Sequence, residues 1–346
     1  MKDLIIDLDA SIKSALKKMD DVGRKLLIIL DKEGKFFGLI SIGDIQRAIL
    51  KNLNLDLPVF KINRATNIVG SPLQSMSELK NIMINIRAEF MPIINEKRDL
   101  VKVIYWNELF PQNQEIPINK FNLPVIIMAG GQGNRLKPLT NIIPKPLIPF
   151  GEKTMLEEIF NRFNKYGSNN FYLSVNYKFE LIQFYLEKLN LPFIIEYFKE
   201  DQPLGTAGSL YLLKNKLNTT FFVTNCDILI DQDYNDILKY HYEEKNEITL
   251  VSVLKSIEIP YGTLEINSYG RLKELKEKPS YDFMINSGMY ILEPHLLHEI
   301  PENQFFHITH LIDKLINEDR KVGVFPVSDN SWKDVGQWDQ YIKFLL

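Results

Sequence analysis

One stretch limits what this chain can fold into more than any other: Val125-Ile126-Ile127-Met128-Ala129-Gly130-Gly131-Gln132-Gly133-Asn134-Arg135-Leu136-Lys137-Pro138-Leu139-Thr140. A short, β-branched apolar run that breaks into glycines reads as a buried parallel strand emptying into a ligand loop at its carboxyl end. Gly130, Gly131 and Gly133 have no Cβ, so successive backbone N–H groups can turn inward around polyphosphate oxygens. Arg135 adds a planar fork suited to two phosphate oxygens. Lys145, within Pro144-Lys145-Pro146-Leu147, adds a mobile point charge. Two commoner glycine loops are excluded. A Walker loop needs Lys-Ser/Thr directly after its last glycine, where Asn134-Arg135 stands; a dinucleotide fingerprint needs a third glycine where Leu136 stands. A plain solvated turn would not call for three glycines and two cations in one run.

What remains, Gly-Gly-x-Gly-x-Arg-Leu-x-Pro-Leu-Thr followed by Pro-Lys-Pro-Leu, resembles the signature of sugar-phosphate nucleotidylyltransferases. The resemblance implies a Rossmann-like, GT-A-like doubly wound α/β domain over residues 124–346. Its nucleotide would lie on Ala129, Gly130, Gly131 and Gly133, with Arg135 and Lys145 as the catalytic cations. The downstream sequence alternates strands (Phe171–Val175, Phe193–Tyr197, Phe221–Asn225) with helices (Thr154–Phe163, Leu181–Leu189), as a mostly parallel doubly wound sheet requires. Gln202-Pro203-Leu204-Gly205-Thr206-Ala207-Gly208 resembles the family's second nucleotide loop, which implies contacts at Gly205, Thr206 and Gly208; a glycine-containing helix start alone needs no ligand.

Asp227 falls just past a buried strand, where an unpaired charge is costly. Mg2+ would be a fitting partner, since it takes one or two carboxylates and completes its shell with water and phosphates. Trp332-Lys333-Asp334-Val335-Gly336 resembles the family's late Trp-x-Asp-x-Gly element and supplies Asp334 as the second ligand. Tyr261-Gly262-Thr263, Glu277-Lys278-Pro279 and Asn286-Ser287-Gly288 resemble its sugar loops. They imply sugar-phosphate contacts at Gly262, Glu277, Lys278 and Asn286, whereas Glu274, between Lys273 and Lys276, reads as a solvated charge.

The first third contains a duplication. Helix (from Ser11), strand (Lys25–Leu30), turn, strand (Phe36–Ile40) and helix (Asp44–Leu50) recur more weakly as Leu73–Ile86, Phe90–Ile94, Val101–Tyr105 and Asn107–Leu109. This order resembles a tandem pair of CBS domains, α+β modules spanning 1–58 and 59–115, with 116–123 as linker. In that family Ser/Thr-x-x-Asp at the strand-to-helix corner holds the ribose of a regulatory nucleotide, which would make Ser41 and Asp44 its contacts. An aspartate there is equally a helix cap, and both readings stand. The second corner, Tyr105-Trp106-Asn107-Glu108, departs from the pattern. CBS pairs commonly associate, which implies a homo-oligomer.

The fusion of a CBS pair to a compact transferase resembles the guanylyltransferases that form GDP-glucosamine from GTP and glucosamine 1-phosphate in legionaminic acid (flagellin glycan) synthesis. That is the leading expectation. Mannose 1-phosphate guanylyltransferase follows, then a thymidylyl- or uridylyltransferase. An inactive nucleotide-sensing relative would have lost one of Arg135, Lys145, Asp227 or Asp334, and all four are present. A net charge of −3 with no Lys/Arg block gives a nucleic-acid surface no support. No apolar run approaches the roughly 20 residues that span a bilayer, and Met1–Asp7 lacks a signal-peptide core. The one cysteine, Cys226, rules out an internal disulfide. The expected location is cytoplasmic.

Overall fold

Capping residues set where several helices begin. Ser41, Ser75 and Thr154 each accept a hydrogen bond from the backbone N–H three residues on, and Asp44, Glu78 and Glu157 accept in return from the cap backbone. The computed structural model describes residues 2–64, 67–110, 118–200 and 202–345. Its contacts divide the chain into Met1–Ile118 and Asn119–Leu346.

In the first unit the duplication is regular. Each element of the second copy lies 64 residues after its counterpart, as the pairs Ser11 and Ser75, Leu26 and Phe90, and Phe36 and Leu100 show. Leu26–Leu30 pairs antiparallel with Phe36–Ser41 and parallel with Ile5–Asp7. Phe90–Ile94 pairs with Leu100–Tyr105, but the third strand shrinks to one bridge between Gly70 and Ile93. Gly70 fits there because a Cβ would lie 2.4 Å from Ile93 Cδ1 and 2.7 Å from Leu79 Cδ2. The second corner forms only the short helix Trp106–Leu109.

In the second unit seven strands form one sheet: β1 (Val125–Met128), β2 (Asn170–Val175), β3 (Ile194–Lys199), β4 (Phe221–Asn225), β5 (Ile248–Glu258), β6 (Ser280–Leu292) and β7 (Val322–Ser328), in the order 3-2-1-4-6-5-7. β6 runs antiparallel to both neighbours and every other pairing is parallel. The sheet is therefore mixed but mostly parallel, and it follows the doubly wound α/β expectation. β1 and β4 are central neighbours and carry buried Val, Ile and Phe throughout, as strands covered on both faces must. The expected linker lies partly outside the described residues. Its described end is docked: Phe121 stacks on Tyr166 at 5.4 Å and on Phe222 at 5.3 Å, which fixes the chain's entry to the sheet.

Below β5, Arg320 bridges Glu247 (Nη2 to Oε2, 2.5 Å) and Glu299 (Nη1 to Oε1, 3.0 Å), tying the start of the strand to the short helix Pro294–Glu299. The Arg320 fork, helped by His295 and opposed by partial burial, holds the Glu247 carboxyl down at about 2. A carboxylate depressed from 4.5 stabilises fully above its unfolded value and loses that contribution as pH falls through about 2. Glu247→Gln is therefore expected to cost about 1–2 kcal/mol at pH 7. In urea titrations the gap between parent and variant should close as pH falls from 4.5 towards 2; a gap independent of pH would contradict this assignment.

Candidate active site

The site is built at the carboxyl ends of β1 and β4. Leaving β1, Ala129 donates its N–H to Ser174 O and stays buried, after which the chain opens. Among the described residues, the N–H groups of Gly130, Gly131, Gln132 and Gly133 meet no protein acceptor. Four successive unspent amides at a strand end make an anion cradle. Gly133 takes φ +67°, and a Cβ there would press on Thr140 Cγ2 at 2.7 Å and Lys145 Cβ at 3.3 Å; the loop therefore packs directly on the lysine. Gly131 differs, since a Cβ on it would meet nothing within 4 Å.

Asp227 and Asp334 are distant in sequence and are brought together by a two-stranded ribbon. Ile228–Ile230 pairs antiparallel with Trp332–Asp334, placing Ile228 opposite Asp334, and Val335 N–H donates to Asp227 O at 3.0 Å. Both carboxylates are buried, at 5% and 9% exposure. Lys145 Nζ hydrogen-bonds Asp227 Oδ2, and Arg135 reaches both acids, at 3.7 Å from Asp227 and 3.9 Å from Asp334. Gly336 closes the cluster: its N–H donates to Asp334 Oδ1 at 2.8 Å, and a Cβ would fall 2.2 Å from Asp227 Oδ2 and 2.9 Å from Lys145 Nζ. Glycine loop, lysine, arginine and the two aspartates thus form one continuous site. Cys226 beside it is inert: burial, then the Asp227 charge, pushes its thiol up to about 12.

The remaining expected residues divide. Asn286 bends the chain into a bulge, accepting from Gly288 N–H at 3.0 Å and donating to Tyr290 OH at 2.8 Å. Gly288, at φ +87°, presses that bulge on Asn225 and Ile228, and Trp332 Nε1 donates to Ser287 O at 3.1 Å, so the bulge abuts the aspartate ribbon. Glu277 and Lys278 are exposed, with Glu277 Oε2 above Gly262 where a Cβ would stand 3.2 Å away; no hydrogen bond or ion pair joins either to the cluster. Glu274 pairs with Lys276 at 3.1 Å, as a solvated charge should.

In the second glycine loop the amides of Ala207 and Gly208 both donate to Phe306 O, and Thr206 N–H donates to His307 Nδ1 at 3.3 Å. Gly205, at φ +82°, and Gly208 leave room for backbone carbonyls of Phe306 and Gln304 at 2.7 and 2.6 Å from a built Cβ. These glycines have a packing reason that the sequence did not reveal. In the first unit, Asp44 is a buried capping-box acid that also accepts from Arg64 Nε at 2.6 Å and Arg47 Nη2 at 2.5 Å, while Arg64 Nη2 bonds Ser41 Oγ at 2.7 Å. Of its two readings, the helix cap is the one this geometry displays.

Glu200 was not anticipated. It is buried at the end of β3 beneath Gly130, 3.2 Å from where a Cβ would be, and accepts from Ser174 Oγ and Leu204 N–H. Its carboxylate lies against the first glycine loop and hydrogen-bonds the start of the second. Its position three residues before Pro203-Leu204-Gly205 was the available signal, but nothing local marks it as buried.

A family model for nucleotidyl transferases matches residues 124–345, and one for the CBS domain matches residues 1–51. The chain is 32% identical over 222 residues to a mannose-1-phosphate guanyltransferase of Pichia angusta, covering 61% of this chain and 60% of that protein. It is 36% identical over 185 residues to the mannose-1-phosphate guanylyltransferase catalytic subunit beta of Dictyostelium discoideum, covering 51% and 52%. It therefore spans less than two thirds of the length of the curated relatives it matches. Among solved structures, HddC from Yersinia pseudotuberculosis aligns with a TM-score of 0.50 at 26% identity, over 64% of this chain and 97% of that one. Its complex with GMP-PN aligns equally well, with a TM-score of 0.50 at 25% identity over the same shares.

Proposed function

The chain belongs to the nucleotidyl transferase family, and from that premise we propose that it is a sugar-1-phosphate guanylyltransferase. A phosphate oxygen of a hexose 1-phosphate attacks the α-phosphorus of GTP, the bond from that phosphorus to the β-phosphate oxygen breaks, and pyrophosphate leaves. The observation that carries this reading is the run of unspent amides from Gly130 to Gly133 packed against Lys145, which in turn bonds Asp227. No protein nucleophile is needed. A phosphate monoester is mostly dianionic near neutral pH, so the protein's work is positioning and charge neutralisation. The amides hold the triphosphate, Arg135 neutralises the departing β- and γ-phosphates, and Lys145 follows the α-phosphate and incoming phosphate.

Asp227 and Asp334 are acceptor-only, buried and adjacent, and no group of three or more His, Cys, Asp or Glu able to hold a metal occurs among the described residues. That donor set suits Mg2+, which takes one or two carboxylates and leaves its other positions to water and phosphate. Bound there, Mg2+ would supply further charge neutralisation. Gly262, Glu277, Lys278 and the Asn286 bulge are assigned to the sugar phosphate on sequence order together with the bulge's place against the ribbon.

Mannose 1-phosphate now leads glucosamine 1-phosphate as the sugar substrate, because the relatives at 32% and 36% identity are named for mannose. GTP is favoured by the same names and by the likeness to the structure with GMP-PN. Pyrophosphate release from each triphosphate with mannose, glucosamine and glucose 1-phosphates tests both assignments; GTP with mannose 1-phosphate should turn over fastest. Release with no pair would sink the transferase reading. Gly131→Ala tests the cradle separately. The new methyl meets no protein atom, so the melting temperature should hold while KM for GTP rises about tenfold; unchanged kinetics would mean that no phosphate lies on the loop.

A further inference from the structure

Between β5 and β6 the chain leaves the sheet as an arm whose two faces have opposite chemistry. Its outer part is a hairpin of Thr263–Ile266 and Leu272–Lys276, with Leu264 opposite Leu275 and Ile266 opposite Leu272. Opposed residues share a face, so these four aliphatic side chains form one surface, 57–66% exposed. Glu265, Glu274 and Lys276 fall on the other face. Lys276 pairs there with Glu274 at 3.1 Å and Lys273 with Glu265 at 3.0 Å, so every acid and base of the two strands has its partner on that side. The apolar face carries no charge at all. A two-stranded hairpin is marginal alone in water, and this one leaves uncovered the face that would stabilise it.

We propose that this arm is the contact by which two copies of the chain associate, apolar face against apolar face. The area is sufficient: the four aliphatic chains present on the order of 400 Å², the size at which a monomer's patches become functional. Tyr261, Tyr269, Tyr281 and Phe283 of the same arm are exposed as well. Its chemistry fits a second copy better than a foreign protein. A two-fold contact sets a patch on itself, which like charges would oppose, and this patch has none. Heterologous partners are usually selected by complementary charge, and the arm's charges are spent on one another on the far side.

The test is the mass of the full-length protein by sedimentation equilibrium and light scattering. The parent should show at least twice the 40.4 kDa of one chain. Leu264→Lys with Leu275→Glu keeps a cross-strand pair, now ionic, while removing the apolar centre of the face, and should halve the assembly's mass at unchanged circular dichroism. A milder variant, Ile266→Thr with Leu272→Thr, retains strand propensity and should weaken association at least tenfold. Glu265→Lys on the opposite face should leave the mass unaltered. A parent of single-chain mass overturns the proposal, whether the arm is bare or covered by another part of the same chain. So do arm variants that keep the parent's mass, which would place the contact elsewhere.

Discussion

Replacing Asp227 with asparagine is expected to lower the rate of pyrophosphate release by about a thousandfold or more while the protein stays folded. The substitution keeps the shape of the side chain and leaves the backbone bond from Val335 N–H to Asp227 O in place, so the ribbon joining Ile228–Ile230 to Trp332–Asp334 persists. What disappears is the charge against which Lys145 and Arg135 are set. Lys145 is largely enclosed, so removing its carboxylate partner should also cost stability, on the order of 1–3 kcal/mol. Melting temperature and rate separate the two effects, because a folded variant with lost turnover cannot be explained by unfolding. Titration calorimetry with Mg2+ and GTP should show weaker metal uptake. Turnover within tenfold of the parent would remove Asp227 from the chemistry.

The fold was legible wherever a local rule and a long-range need agreed. The run from Val125 to Met128 followed by glycines announces a strand end, and Ser11 announces a helix start that packing then keeps, whereas the second copy's helix begins after Ser75 and not at Leu73. The duplication was legible because the order helix, strand, turn, strand recurs; the caps at Ser11 and Ser75, at the same spacing as the strands, are what the structure adds. Less legible was why certain residues are small. Gly205 and Gly208 look like ligand glycines, yet the carbonyls of Phe306 and Gln304, about a hundred residues later, occupy the space beside them. Glu200 looks like one charge among many until β2 and β3 pair and bury it under Gly130. In the arm only Leu264-Glu265-Ile266 alternates as a strand should; Leu272-Lys273-Glu274-Leu275 spaces its leucines by three, and they share a face because the pairing shifts register, while family order drew attention to the flanking Gly262 and Glu277 instead.

Gly336→Ala is expected to reduce turnover by about a hundredfold or more, through geometry alone. No charge is altered and no hydrogen-bonding group is deleted, since the alanine N–H can still donate to Asp334 Oδ1. The added methyl, however, would lie 2.2 Å from Asp227 Oδ2, 2.8 Å from Asp334 Oδ1 and 2.9 Å from Lys145 Nζ, inside van der Waals contact with all three. Both carboxylates are buried and one belongs to a paired ribbon, so the relief available is to turn the acids or the lysine away from each other. Displacement of about 1 Å at a reacting centre commonly costs a hundredfold. Gly131→Ala, whose methyl meets no protein atom, should instead act on KM for GTP, so a fall in turnover at constant KM belongs to Gly336. If Gly336→Ala turns over like the parent, the pocket between Asp227 and Asp334 can widen freely, and the tight convergence on which the proposed phosphate chemistry rests is not needed for turnover. If it melts like the parent but turns over slowly, close approach of these three side chains is what the glycine exists to allow.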